Sequence, residues 1–472
     1  MKILKNYLLN SSYQLLIIII PIVTIPYISR VLGPEGIGLN TFTAAVIQYF
    51  IIAGNLGIST YGNREIAYYQ RDKKKRSQIF WEIIFLRFIT FGISILCFVV
   101  FIGFQEQNQS LYIIQGIAIL AALFDISWYF MGMENFKRTV TRNFIVSIVS
   151  LVCVFLFVKT KNDLLIYVII TTGGLLIGNL SLWPYLVSEV IKLRVKKLEI
   201  KKHLIPALLL FLPQIATMTY LVINKSMIGI LDSVKSAGFF GQADTIIRTT
   251  LVLVTSFGVV MLPRVSNMYA EGKSKEIISL LSKSFEYMSA IAIPIMFGIM
   301  GISLKFAPFF FGISFSEVGI LMMLEAPIIL FIAWSNVIGT QYLLPLNKLK
   351  QYTWSVSIGA IFNILLNFLV IPLFGVVGAM VTTLFTELIV CSCMYFFVRK
   401  EVKFFSFFMN TWKYWVSGLL MFFVVFILNE MMKMSLVTLA FQVVIGGLVY
   451  ILINFVLRTS LTKEVGNTLK LR

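Results

Sequence analysis

The chain has 472 residues, 58% of them hydrophobic and 13% charged, with a mean hydropathy of +0.90; a soluble chain carries roughly 25% charged residues. This excludes a disordered chain and a cytosolic enzyme built on one or two packed cores. Forty Lys and Arg against 21 Asp and Glu give +19, which in so apolar a chain reads as membrane topology and not as nucleic-acid binding.

A helix needs about 20 apolar residues to cross a bilayer. Fourteen such runs follow one another: 7–29, 39–61, 80–104, 111–133, 143–158, 164–188, 204–231, 239–262, 277–302, 317–341, 351–371, 375–398, 406–428 and 434–457. The expected fold is therefore an all-α integral membrane protein of about 14 transmembrane helices. The first run is too long for a signal-peptide core and no A-x-A site follows it. It ends in Arg30-Val-Leu-Gly-Pro-Glu-Gly-Ile-Gly38, a Gly/Pro turn that sends the chain straight back. The longest loops, near 62–79 and 189–203, are too short to bury a core of their own.

With a cytoplasmic N-terminus, the outer segments hold only Arg30, Lys159, Lys161, Lys235, Lys305 and Lys433. Arg87, Lys225, Arg248, Lys283 and Lys413 fall inside spans, and the other 29 of the 40 cations fall in inner segments. That alternation places both termini in the cytoplasm.

A duplication is expected. Laying Gly57 on Gly258 also brings Tyr68 onto Tyr269 and Lys74 onto Lys275. Spans 1–2 and 7–8 each form a hairpin followed by a basic inner loop, with Arg64 in one and Arg264 in the other. Six intervening spans give parallel halves, which place a substrate path at their interface. The expected division is a six-helix lobe over 1–203, a second over 204–403, and two extra helices with a tail over 404–472.

A charge at the centre of a span costs at least ~2.5–3.5 kcal/mol. Span 3 carries Arg87 and span 4 Asp125. Span 2 lines up Thr41, Gln48 and Asn55 on one face; span 7 lines up Gln214, Thr217, Asn224 and Lys225. Span 8 holds Asp244 and Arg248 at i, i+4, and span 10 holds Glu325 and Asn336. Asn363 and Asn367 in span 11, and Thr383 and Glu387 in span 12, repeat the i+4 spacing. Two readings stay open: polar glue between helices, or the lining of a path. On the second, Arg30, Arg64, Arg87, Lys225 and Arg248 form a cationic, substrate-binding lining. Gln48, Asn55, Asp125, Gln214, Asn224, Asp244 and Asn336 complete it. Such a surface suits a phosphate, which Arg binds bidentately; an exporter of cations favours carboxylates there.

No G-x-x-x-x-G-K-[ST], G-x-S-x-G or H-E-x-x-H occurs, so no ATP hydrolysis, catalytic residue, metal or cofactor is expected. His203 sits in a basic inner loop and reads as interfacial. Cys97, Cys153, Cys391 and Cys393 lie in apolar runs and read as small buried hydrophobes.

The opening Asn10-Ser-Ser-Tyr-Gln14 and the stretch Pro-Ile-Val-Thr-Ile-Pro-Tyr-Ile-Ser-Arg30 through Gly38 resemble the first hairpin of Wzx-type polysaccharide flippases. So does Asn55-Leu-Gly-Ile-Ser-Thr-Tyr-Gly-Asn-Arg64-Glu. Asn363-Ile-Leu-Leu-Asn367, then Ile-Pro-Leu-Phe-Gly375-Val-Val-Gly378-Ala-Met-Val-Thr-Thr383 and Glu387, is similar to the matching late hairpin. The family belongs to the MOP exporter superfamily, with the MATE drug exporters and the lipid II flippases. The resemblance implies two lobes in a V around a central cavity, in the bacterial cytoplasmic membrane. It implies a cargo of undecaprenyl-diphosphate-linked oligosaccharide, turned outward for capsule or O-antigen synthesis by alternating access. Partners would be that lipid, the bilayer, and a polysaccharide polymerase with other assembly proteins. Fourteen spans in place of the commoner twelve keep a lipid II flippase open as an alternative, and a MATE-like drug or cation antiporter is a second.

Overall fold

The computed structural model describes residues 2–191, 198–402 and 405–463. Within these, side chains are described except at 2–19, 212–214, 216–217, 219–221, 256–257, 259–260, 262–263, 405–406 and 410. The described residues form helices and connecting turns without a strand. Ten stretches are long and apolar enough to cross a membrane by length and composition. Leu349–Val398 holds two of the apolar runs read from the sequence, and Ile20–Tyr68 holds one together with the end of the run before it. The chain divides into two compact units, 1–229 and 230–472.

The first unit opens with α1 (Lys2–Asn55), which changes direction at Gly33. Gly33 takes φ 71°, ψ 177°, a conformation open to glycine at little cost, and Pro34 starts the returning segment with φ already fixed. The turn falls where the Gly/Pro sequence puts it. A second break follows α1, where Leu56 and Gly57 both have positive φ, and α2 (Ile58–Tyr68) begins. Asp72 then caps α3 (Lys73–Gly103), accepting from the amides of Lys74 and Lys75 at 3.0 Å each, the usual remedy for orphaned first-turn donors.

The run 111–133 reads as one span but is built from three pieces: α4 (Gln109–Gln115), α5 (Ile117–Leu123) and α6 (Ser127–Gly132). Hydropathy over a 20-residue window does not register such breaks, because the average stays apolar even with Asp125 at the second one. α7 (Phe136–Phe157) and α8 (Leu164–Leu180) pack side by side, and α9 (Leu186–Glu189) is a single turn. α7 exposes Phe144, Ile145, Ile148, Val149, Val152 and Leu156. A face so apolar suits acyl chains and not water.

The first unit runs on almost to the end of α10 (Leu204–Leu231), past residue 203 where the sequence suggests a boundary. The reason is close packing. A Cβ on Gly57 would lie 2.6 Å from the Ala207 carbonyl oxygen, so only glycine lets α10 approach there. Tyr49 and Ser226 share a hydrogen bond of 2.7 Å further along.

In the second unit, Ser233 caps α11 (Val234–Ala270). α12 (Ser274–Phe311) is the central helix, packed by α13 (Glu317–Glu325), α14 (Ile328–Ile338) and α16 (Phe405–Met431). A π-helical turn at Gly339–Leu343 extends α14. α15 (Leu349–Val398) doubles back at Gly375, φ 56°. The side chain of Asp232 lies against that glycine, 2.8 Å from where a Cβ would stand. α17 (Leu436–Val456), started by a Ser435–Thr438 capping box, packs on α16.

Candidate functional site

The break between α5 and α6 leaves the last carbonyls of α5 short of donors, the Ala122 oxygen keeping only the Asp125 amide at 3.2 Å. Side chains from elsewhere in the unit satisfy four in a row. Asn179 Nδ2 donates to the Ala121 oxygen at 2.6 Å, and Arg87 donates to the Ala122 oxygen and, from Nε at 3.0 Å, to the Leu123 oxygen. Trp183 Nε1 donates to the Phe124 oxygen at 2.9 Å. Arg87 also reaches Asn55 Oδ1 at 3.2 Å and Ser59 Oγ at 3.1 Å across the break between α1 and α2. Its guanidinium sits 5.0 Å over the Phe91 ring, and the residue is 2% exposed. A cation at a helix C-terminus is favoured by the dipole. Arg87 thus ties two broken helices together. Asp125 completes the joint by accepting from the Ser127 amide at 2.9 Å and from its hydroxyl, at the start of α6.

A second buried network lies at the end of the unit that carries the basic loops. His203 Nε2 meets Glu82 Oε2 at 2.7 Å, and its Nδ1 meets the Tyr61 hydroxyl at 2.8 Å. Gln78 Nε2 and the Glu199 amide each donate to Glu82 Oε1 at 2.9 Å, and Lys202 Nζ pairs with Glu82 Oε2 at 3.1 Å. Burial works against the charge of Lys202, but its bonds to Glu82 and Glu199 outweigh this and hold its pKa above the usual value. Glu82 has no exposed surface and His203 is 2% exposed. His203, read from the sequence as interfacial, is therefore a core residue. The sequence reading missed Glu82; the signal was a lone carboxylate at the mouth of an apolar run.

Arg30 is exposed, just before the Gly33 turn. Arg64 is exposed on α2, pairs with neighbouring Glu65 at 3.1 Å, and lies 5.4 Å over the Tyr61 ring. Gln48 and Lys225 are half-buried, and Asn224 is buried. The side chain of Gln214 lies outside the described residues, as does that of Thr217.

In the second unit Asp244 and Arg248 form the i, i+4 ion pair that their spacing allows, at 2.5 Å, with Asp244 buried. Asn336 accepts from Gln341 Nε2 at 3.3 Å, and Gln341 Oε1 receives the Ser284 hydroxyl at 2.5 Å. Asn363 donates to Thr386 at 3.1 Å and accepts from Asn367 at 3.2 Å, so these polar residues of spans 11 and 12 hold the hairpin together. Glu325 and Glu387 are both buried. An apolar cavity of 400 Å³ opens among α12, α16 and α17, lined by Pro294, Gly298, Met421, Val425, Gln442 and Gly446.

Residues 3–269 match the polysaccharide biosynthesis protein family, and the chain belongs to that family. It is 26% identical over 392 residues, 81% of this chain and 93% of the relative, to the Escherichia coli (strain K12) protein named "Putative O-antigen transporter". In fold it is similar to the lipid II flippase MurJ in an inward closed conformation, with a TM-score of 0.77 at 16% identity, over 97% of this chain and 100% of that one. It is also similar to a multidrug resistance MATE family transporter of the MOP superfamily in an inward-facing conformation, with a TM-score of 0.65 at 13% identity, over 81% and 94%. The fold is thus that of MOP-type transporters.

Proposed function

We propose that this chain is a flippase that carries undecaprenyl-diphosphate-linked oligosaccharide repeat units outward across the bacterial cytoplasmic membrane, by alternating access, for capsule or O-antigen synthesis. The observation that carries this reading is the family match over 3–269, joined by likeness to the E. coli protein over most of both chains. The chemistry agrees with it. Arg30, Arg64, Lys225 and Arg248 supply cations for a diphosphate, while Arg87 positions the helix breaks beside Asn55. The polar residues Gln48, Asn55, Asn224, Asp244 and Asn336 offer hydrogen bonds to sugar hydroxyls, and Asp125 and Asp244 temper the positive charge. The cavity among α12, α16 and α17 has the apolar walls a polyprenyl tail needs. Both termini lie in the cytoplasm on this reading, and a polysaccharide polymerase takes the product.

One alternative has its own support: the fold likeness to a lipid II flippase spans α16 and α17 as well as the earlier helices. Deleting the gene and identifying the accumulated lipid separates the two. A build-up of an undecaprenyl-diphosphate oligosaccharide of the polymer's repeat supports the proposal. Accumulated lipid II assigns the alternative, and unchanged lipids with altered drug sensitivity assign a drug antiporter.

A further inference from the structure

Away from every residue invoked above for cargo, α7 and α8 enclose a cavity of 640 Å³. Lys137, Arg138 and Arg142 line it, together with Asn135, Thr141, Ser181 and Tyr185, and no carboxylate is among the lining residues. Arg142 is held along α8 by donating to Asn179 Oδ1, and Gly178 gives α7 a close approach there, since a Cβ would stand 2.7 Å from Val146 Cγ2 and 3.3 Å from Arg142 Cδ. Arg138 lies 4.9 Å over the Tyr185 ring and 5.3 Å over the Phe130 ring, and pairs with Glu189 at 3.3 Å. Glu189 is shared with Arg76 at 3.6 Å, so it offsets these cations only in part. Glu134 is exposed on the turn before α7 and is not among the lining residues. Asn135, at the N-cap of the 22-residue α7, makes no side-chain cap bond.

The other walls are Ile145, Val146 and Ile177. Ile145 is 55% and Ile177 69% exposed, on the outer face of two apolar helices. A polar, cationic floor thus meets apolar walls that open where acyl chains would run. That combination fits a phosphate with hydrocarbon attached, since a free ion gains nothing from the walls.

We propose that this cavity binds the headgroup of an anionic phospholipid, with its phosphate on Lys137, Arg138 and Arg142 and its acyl chains along α7 and α8. It is a resident-lipid site distinct from the path of any cargo, and it stands whether or not the flippase reading does.

The test titrates the purified full chain in neutral detergent with short-chain phosphatidylglycerol, with phosphatidylcholine of equal chain length, and with inorganic phosphate. Lipid binding is read by native mass spectrometry and stabilisation by thermal shift. Phosphatidylglycerol should bind and raise the melting temperature, phosphatidylcholine should bind several-fold more weakly, and millimolar inorganic phosphate should not displace the lipid. Lys137 is exposed and makes no hydrogen bond or ion pair among the described residues; K137E should melt normally without lipid and bind phosphatidylglycerol at least about fivefold more weakly. R138Q should weaken binding in the same direction. K275E, exposed in the first turn of α12 in the other unit, should bind as the wild type does. Equal affinity in wild type, K137E and R138Q overturns the proposal, as does an equal loss in K275E. Full displacement by inorganic phosphate overturns the lipid as occupant and assigns a free anion.

Discussion

His203 Nε2 stands 2.7 Å from Oε2 of Glu82, a carboxylate with no exposed surface. The two are 121 residues apart and join the start of α10 to α3, with Tyr61 of α2 on the other ring nitrogen. Breaking a buried pair by removing one partner costs about 3–5 kcal/mol, because the remaining group is stranded. E82A should therefore lower the melting temperature strongly in detergent, and E82Q less, since its amide keeps the shape. H203F should fall between them. Melting curves of the three that coincide with the wild type's would refute this role.

Arg87 serves four acceptors: the oxygens of Ala122 and Leu123, Asn55 Oδ1 and Ser59 Oγ. A lysine ammonium has three donors at one point and no fork. R87K should thus be nearly as damaging as R87M, each losing about 3 kcal/mol or more. Expression level and thermal stability measure this. An R87K protein as stable as the wild type would mean that charge alone suffices there.

Two glycines should answer alanine oppositely. Gly57 has φ +75° and faces the Ala207 carbonyl, whereas Gly92, inside α3, has nothing within 4 Å of a Cβ. G57A combines a left-handed backbone, costing roughly 1–2 kcal/mol, with a clash, and should destabilise. G92A should stabilise by about 0.5–1 kcal/mol through helix propensity. The two melting temperatures, set against the wild type's, decide the signs.

Glu401 lies after α15, outside the spans. Burial alone would raise its pKa, but bonds from Lys348 and Tyr342 outweigh that and hold it below the usual carboxylate value. A depressed pKa adds stability above the unfolded value of about 4.3 and loses it as pH falls through the folded pKa. The side chain is 45% exposed, so solvent screening keeps the effect under about 1 kcal/mol. The melting-temperature gap between wild type and E401Q should be present at pH 7 and close below the glutamate range. A gap that widens in acid would reverse the sign.

A diphosphate diester carries about two negative charges, and each is worth ~2.3 kcal/mol per 100 mV. On the proposed function, an inside-negative potential alone supplies on the order of 4–5 kcal/mol for export. Transport in vesicles clamped with valinomycin and potassium, at equal pH and sodium, should accelerate with potential. Rates that match at zero and ~100 mV would rule this out and leave an ion gradient as the source. K225Q should slow transport without lowering expression, and adding R248Q, which takes the ion-pair partner from buried Asp244, should slow it further and lower stability as well.

The sequence was a good guide wherever a property repeats along the chain. Apolar runs marked where helices lie, the Gly/Pro turn marked the reversal at Gly33, and i, i+4 spacing marked the Asp244–Arg248 pair. It was a poor guide where partners are distant or lack side-chain identity. Arg87 stood out as a costly charge, yet its main acceptors are backbone oxygens of a helix end, and any residue carries those. Glu82 finds its partner at His203 only once α3 meets α10. The three-piece build of 109–132 was hidden because Gly116 is as apolar as its neighbours and Asp125 alone does not lower the average of so apolar a run.

The fork of Arg87 has a further consequence for how this region can change. An unbroken helix through residues 117–132 would give the Ala122 and Leu123 oxygens to amides of its own, and Arg87 would keep only Asn55 and Ser59 as acceptors in an apolar surrounding. Conversely, a break without the arginine leaves the Leu123 oxygen without the donor it now has. Straightening this segment therefore costs the guanidinium two of its four acceptors, so the interruption resists closure for as long as the arginine stays.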